Sequence, residues 1–219
     1  MPLSVTARIT SDMSEPRLRL RYSPTSPFVR KVMVFAHETG LIDRIELLPT
    51  DVWHPETDVR RDTPLGKVPA LIMPDGLVVA ESTLICDTLD HLHTGPRLFP
   101  EGEGRVAALR WLALGDGILT ACVTRIIEGR YRAADAQQAW WLDRQITSIQ
   151  ATLDVLEAEA DTLAAAPFSV GPLTIAVALS YLSFRYSGDA WPDTRPGLAA
   201  WHAEVQTRPS MRATEPPSA

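Results

Sequence analysis

No proline stands between Glu101 and Ala166, although the chain has 18 of them. Eleven lie at or before Pro100 and seven from Pro167 onward. Glycine is likewise absent between Gly129 and Gly171. Proline lacks the amide hydrogen and clashes with the preceding turn, so it is excluded from helix interiors. At about 8% the residue is more frequent here than the usual 5% or so, and its absence over so long a stretch is a strong signal. The map predicts a turn-rich first part, a long helical middle and a punctuated end.

The first part supplies the strand signals. Leu18, Leu20 and Tyr22 alternate with Arg17, Arg19 and Arg21, the period of a half-buried strand. Ser26-Pro27 then opens a helix, with serine at the N-cap and proline at the first helical position. Val32, Phe35 and Ala36 form its apolar face, and Gly40 ends it. A second strand spans Ile45–Leu48. The polar stretch Pro49–Pro64 reads as loop with one irregular helix and an isolated Trp53. Val68–Met73, the turn Pro74-Asp75-Gly76 and Leu77–Ala80 form a hairpin. Ser82 is placed to cap the next helix, whose apolar face is Leu84, Ile85, Leu89 and Leu92.

Beyond a linker at residues 94–102 the pattern is helical. Val106, Leu109, Leu112, Ile118, Leu119, Cys122 and Ile126 mark one helix. Trp140, Ile146, Ile149, Leu153 and Leu156 mark a second. Leu173–Phe184 is apolar on nearly all sides, the sign of a buried central helix. Leu198 and Trp201 belong to a last short helix, and the tail from Pro209 reads as turn. Residues 1–16 read as a loose leader without an apolar stretch, and Met13 is an alternative start.

Several classes are disfavoured. The composition, 45% hydrophobic and 22% charged, is ordinary for a soluble globular chain. No uninterrupted apolar run reaches the roughly 18 residues that span a bilayer. A net charge of −6 and 19 Arg scattered among acids disfavour a nucleic-acid role. Two cysteines, Cys86 and Cys122, do not make a disulfide framework, which fits a reducing cytoplasm. His91 and His93 lie two apart on a helix, point in different directions and make a poor metal pair.

The order β-α-β-α-β-β-α, with Val68-Pro69 opening the third strand, is that of a thioredoxin-like domain. Followed by an all-helical domain, it resembles the glutathione S-transferase family. The resemblance rests on three stretches: Tyr22 to Val32 (YSPTSPFVRKV), Pro64 to Leu71 (PLGKVPAL), and Glu81-Ser82. It covers roughly Arg17–Thr214, with residues 17–93 as the glutathione-binding domain and 103–214 as the helical domain holding the second-substrate pocket.

What the resemblance implies is a serine-type transferase. Ser26 would donate a hydrogen bond to the glutathione thiolate, aided by the N–H groups of its helix. A free thiol titrates near 8.5 and is mostly protonated at neutral pH, so a donor that favours the anion is needed. Tyr22, Ser23 and Thr25 are other hydroxyls of the same turn, and Tyr22 stands near where tyrosine-type members place theirs. Phe28 follows the serine turn. A cis bond at Val68-Pro69 would aim the Val68 backbone at the cysteinyl part of glutathione. Glu81 would take the γ-glutamyl ammonium and Ser82 its carboxylate, while Lys67 would contact the glycyl end. Arg30 and Lys31 either bias the local potential or form a solvated helix face.

The resemblance further implies a cytoplasmic homodimer acting on a small hydrophobic electrophile, with glutathione as co-substrate, no metal and no organic cofactor, and neither nucleic acid nor membrane as partner. Gly115-Asp116-Gly117 interrupts an apolar helix that lines the second pocket in the family. Asp116 is therefore a candidate for a structural or cross-subunit polar contact. Trp111, Thr120 and Tyr131 are candidate lining residues. One departure is the family's capping box ahead of the central helix: with Thr174 as a candidate cap, Val177 stands where an aspartate is expected, while Gly171 with Pro172 in the first turn can also start that helix. Two other readings stay open, a non-catalytic glutathione-binding homologue and a glutathione-dependent thiol oxidoreductase. The latter chemistry uses a cysteine where this chain has Ser26.

Overall fold

In the computed structural model, which describes residues 17–217, the first alternating stretch forms strand β1 (Leu18–Tyr22) at the middle of a four-stranded sheet. The leader and Met13 lie outside the described residues. Strands β2 (Ile45–Pro49), β3 (Ala70–Ile72) and β4 (Val78–Ala80) complete the order β2-β1-β3-β4. β2 runs parallel to β1, whereas β3 is antiparallel to both β1 and β4, so Leu20 stands between Leu47 and Leu71. The parallel pair requires a crossover, supplied by helix α1 (Pro27–Glu38). Helix α2 (Ser82–Asp90) packs beside α1. Leu18, Leu20, Leu71, Val32, Phe35, Ile85 and Leu89 are buried together in the core. Full burial of such a side chain contributes roughly 1.5–3 kcal/mol each.

This is the thioredoxin-like arrangement, with the helix expected between β2 and β3 reduced to a single 3₁₀ turn, Val59–Arg61. Three local expectations change. Leu84 is 54% exposed and does not belong to the apolar face of α2. The N-cap of α2 is Glu81, whose carboxylate accepts from the Thr83 N–H at 3.0 Å, and Ser82 is the first helical residue. Arg30 and Lys31 are buried, so this part of α1 is no solvated face.

The proline-free stretch forms the long helices α3 (Gly104–Tyr131) and α4 (Ala139–Ala158), followed by the short α5 (Ala160–Ala165). Ile149, Leu153 and Leu156 of α4 are buried, whereas Trp140 remains exposed beside Trp141. Val106 near the start of α3 is also exposed. α3 is long and apolar enough to cross a bilayer by length and composition alone. Its Trp111, Leu112, Ile118 and Leu119 are buried in the protein core, and its main packing partner is helix α6 (Val170–Arg185). The buried core helix of a globular domain can have the same length and composition.

α6 is the central helix, with every residue from Val170 to Leu179 buried. Glycines let α3 and α6 approach closely. A Cβ on Gly115 would lie 2.8 Å from Thr174 Cγ2, and one on Gly171 would lie 2.5 Å from the Ala108 carbonyl oxygen. Ser169, not Thr174, stands at the N-cap position of α6, and the Thr174 hydroxyl donates to the Val170 carbonyl from inside the helix at 2.7 Å. Pro172 occupies the third helical position and has no N–H to give the Ser169 side chain, which makes no cap bond. The Val170 N–H instead donates to the Leu98 carbonyl at 2.9 Å. That bond ties the helical part to the linker, and the buried Asp90 accepts from the Leu98 and Phe99 N–H groups on the other side.

Helices α7 (Trp191–Thr194) and α8 (Pro196–Val205) follow, with Leu198 and Trp201 buried in α8. The tail expected to be turn-like contains helix α9 (Pro209–Ala213), which returns to α1. There Glu38 accepts from Arg208 at 2.6 and 3.0 Å and from the Ser210 hydroxyl, and Arg30 donates to the Met211 carbonyl at 3.2 Å. Burial works to raise the Glu38 carboxyl, but these hydrogen bonds hold it below the usual carboxylate range.

Candidate functional site

A cavity of about 800 Å³ opens between the sheet domain and helices α3 and α6. All seven residues expected to hold glutathione line it: Ser26, Phe28, Lys67, Val68, Pro69, Glu81 and Ser82. They come from three loops at one end of the sheet, because the β1–α1 turn, the approach to β3 and the β4–α2 junction meet there. The alternative hydroxyls Ser23 and Thr25 also line this cavity, whereas Tyr22 does not.

Ser26 has extended backbone (φ −80°, ψ 122°) and its Oγ accepts from the Val29 N–H at 3.3 Å. A hydroxyl that accepts at its oxygen keeps its own proton free to donate. The N–H end of α1 also carries partial positive charge, so an anion beside Ser26 is favoured by both. Val68-Pro69 is cis, and both residues face the cavity.

Glu81 has φ of +81°, a left-handed backbone that a non-glycine residue seldom adopts. Such residues cost on the order of 1–3 kcal/mol and cluster at ligand sites. The turn brings the exposed Glu81 carboxylate and the buried Ser82 hydroxyl together at the start of α2, with Ser82 donating to Glu81 at 3.4 Å. Lys67 is exposed at the rim.

Behind this wall lies a pair whose connection a linear reading leaves out. Lys31 is 0% exposed and its ammonium donates to both oxygens of Asp116 at 2.7 and 2.8 Å and to the Thr83 hydroxyl at 3.1 Å. Thr83 in turn donates to Asp116 at 3.1 Å. α1, α2 and α3 are thus joined at the cavity, and Asp116 makes its polar contact within one chain. Gly117 faces open space in that chain.

The opposite wall is formed by Thr120, Val123, Thr124 and Ile127 of α3 and by Tyr181 and Arg185 of α6. Thr120 and Tyr131 line the cavity as expected, but Trp111 is buried elsewhere, its indole N–H donating to Glu159 at 2.8 Å. Trp53 of the β2–β3 loop stacks on Tyr131 at 4.5 Å and 24°, joining the two domains across the cavity. The isolated aromatic in a polar loop was the only sequence sign of it. Burial pushes the Tyr181 phenol up, although the neighbouring Arg185 acts in the other direction. Neither cysteine lines the cavity: Cys86 and Cys122 are buried, and burial pushes both thiols up to about 12.

Comparison with known proteins agrees with this geometry. Residues 25–92 match the family model for the glutathione S-transferase N-terminal domain, and residues 139–204 match that for the C-terminal domain. The uncharacterized GST-like protein YibF of Escherichia coli (strain K12) is 32% identical over 206 residues, covering 92% of this chain and all of that protein. A glutathione transferase family member from Pseudomonas fluorescens Pf-5, solved with bound glutathione, is 42% identical with a TM-score of 0.87, over 91% of this chain and 99% of that one. A second structure of a family member from the same organism, with bound S-(propanoic acid)-glutathione, is 42% identical with a TM-score of 0.84, over 91% and 100%.

Proposed function

This chain belongs to the glutathione S-transferase family, and we propose that it is a serine-type transferase conjugating glutathione to a small electrophile. The observation that carries this reading is the single cavity shared by Ser26, the cis Val68-Pro69 bond and Glu81-Ser82 on one wall and by α3 and α6 on the other. The glutathione-bound relatives support the same co-substrate here. The relative with S-(propanoic acid)-glutathione supports room for a substituent on the sulfur.

In this reading the γ-glutamyl ammonium meets Glu81 and its carboxylate meets Ser82 at the N-terminus of α2. The Val68 backbone pairs with the cysteinyl residue as an added strand would. Lys67 reaches the glycyl carboxylate. The sulfur then lies beside Ser26, whose hydroxyl donates to the thiolate and lowers its pKa; each unit gained is about 1.4 kcal/mol of preference for the anion. The thiolate attacks an electrophilic carbon held against the helical wall. Conjugation is favoured over thiol–disulfide exchange because the two cysteines are buried away from the cavity. Their free state also supports a reducing cytoplasm. A homodimer is part of the reading, supported by the exposed Leu84 and Val106 on α2 and α3.

Calorimetry tests the binding half: glutathione is expected to bind at millimolar concentration or tighter, and no binding there overturns the reading. Turnover with a chlorinated nitroaromatic tests the chemistry, with Ser26→Ala expected to lower kcat/KM about 10–100-fold, the size of one hydrogen bond to a charged group. Intact binding with no turnover on a broad electrophile panel would leave a non-catalytic glutathione-binding homologue instead.

A further inference from the structure

Four cationic side chains line the cavity, Arg60, Lys67, Arg130 and Arg185, against two carboxylates, Glu81 and Asp116. That excess of positive charge sits in a chain whose net charge is −6. Asp116 is already matched by Lys31. On the proposed reading, Glu81 and Lys67 serve the two ends of glutathione. The helical wall is left with uncompensated cations.

Arg185 is the best defined of them. Its guanidinium rests 4.4 Å from the Phe184 ring and 5.7 Å from that of Tyr181, which holds it in place in the last turn of α6. Its Nε is buried and has no hydrogen-bond partner. No carboxylate among the described residues pairs with it. Arg125 provides the contrast: it rests 3.7 Å from the Tyr186 ring and its Nη1 pairs with Asp189 at 2.8 Å. One arginine finds its acid within the chain, whereas the other, with the Tyr181 hydroxyl beside it, brings a guanidinium without an acid to the cavity. A partly buried guanidinium without an anion is unfavourable, and its geometry suits a carboxylate held by two parallel bonds.

We propose that Arg185 is a specificity-determining residue for the second substrate, and that the preferred electrophiles are small molecules carrying a carboxylate. This rests on the conjugation reading and adds the substrate class. For a halogenated carboxylic acid, the glutathione sulfur bonds to the carbon that loses halide, the halide leaves with the bonding pair, and the thiol proton passes to solvent. Arg185 holds the carboxylate throughout and takes no part in the bond exchange.

The test compares S-(2-carboxyethyl)glutathione, S-propylglutathione and glutathione by calorimetry, on the wild type, Arg185→Gln and Arg185→Lys. The wild type is expected to bind the carboxylate conjugate about tenfold or more tighter than the neutral one. Arg185→Gln should reduce that advantage to about twofold or less with glutathione affinity unchanged, and Arg185→Lys should retain part of it. In turnover, kcat/KM for 4-chloro-3-nitrobenzoate should fall about tenfold in Arg185→Gln while that for the matching benzamide holds. Equal affinities for the two conjugates in the wild type, or equal losses for both in the variant, overturn the proposal and leave the transferase reading standing. No binding of glutathione itself overturns both.

Discussion

Lys31 on α1 and Asp116 on α3 meet at 2.7 Å behind the sheet-side wall of the cavity, the lysine fully buried and the carboxylate partly so. They lie on different domains, so the pair fixes how the sheet and the helices face each other across the cavity. Removing one partner leaves the other as an unpaired charge, which typically costs about 3–5 kcal/mol. Asp116→Ala is expected to lose stability of this size in urea unfolding. Lys31→Met combined with Asp116→Leu should recover most of it, because an apolar pair needs no compensation. An alanine variant within about 1 kcal/mol of wild type would show that the pair contributes little.

Ser26 combines two roles that substitution can separate. Its Oγ caps α1 by accepting from the Val29 N–H, so Ser26→Ala should cost about 1 kcal/mol of stability as well as activity. Aspartate caps as well as serine but places a negative charge beside the thiolate. Ser26→Asp is therefore expected to unfold within about 0.5 kcal/mol of wild type while losing at least as much kcat/KM as the alanine variant. Aspartate activity near the wild-type level would remove Ser26 from thiolate stabilisation.

The features legible in the sequence are those written in local backbone chemistry. Ser26-Pro27 specifies a helix start by itself, Val68-Pro69 specifies the bond that opens β3, and the glycine- and proline-free middle specifies α3 and α4. What escaped depends on partners far along the chain. For Lys31 and Arg30 the sequence leaves a solvated face and a role in the local potential open, because their partners Asp116 and the Met211 carbonyl arrive from α3 and α9. Leu84 has the right spacing for the core yet points away from it, since a four-residue apolar stripe leaves the exact face of a short helix undetermined. The start of α6 stays open between two readings for a similar reason. Thr174 is a candidate cap by residue type, but Gly171 and Pro172 are already helical, and the close approach of α3 decides where the helix must begin.

Cys86 and Cys122 should be silent toward thiol reagents. Burial pushes each thiol up to about 12, so the reactive thiolate is negligible at neutral pH and the reagent cannot reach it. Titration with a disulfide reagent at pH 8 is expected to show neither thiol in the native protein and both in guanidinium chloride. Rapid native labelling of either one, or its protection by glutathione, would contradict the placement of both cysteines outside the cavity.

His202 gives the fold an acid-sensitive point. Its ring lies on α8 within hydrogen-bond distance of the Ser180 hydroxyl (3.0 Å) and the Gln206 amide (2.9 Å), beside Trp191. Burial lowers its pKa to about 4, from about 6.5 in the unfolded chain. Between those values the unfolded state binds the proton and the folded state does not. The contribution to stability is therefore complete above about pH 6.5 and is lost as pH falls through that window, by up to about 3 kcal/mol near pH 4. Glu38, held below the usual carboxylate range, adds a loss of the same sign at lower pH. Urea midpoints measured from pH 7.5 to 4.5 should fall steadily in the wild type and less steeply in His202→Gln, which cannot take up the proton. Parallel pH profiles for the two proteins would show that His202 is not the group responsible.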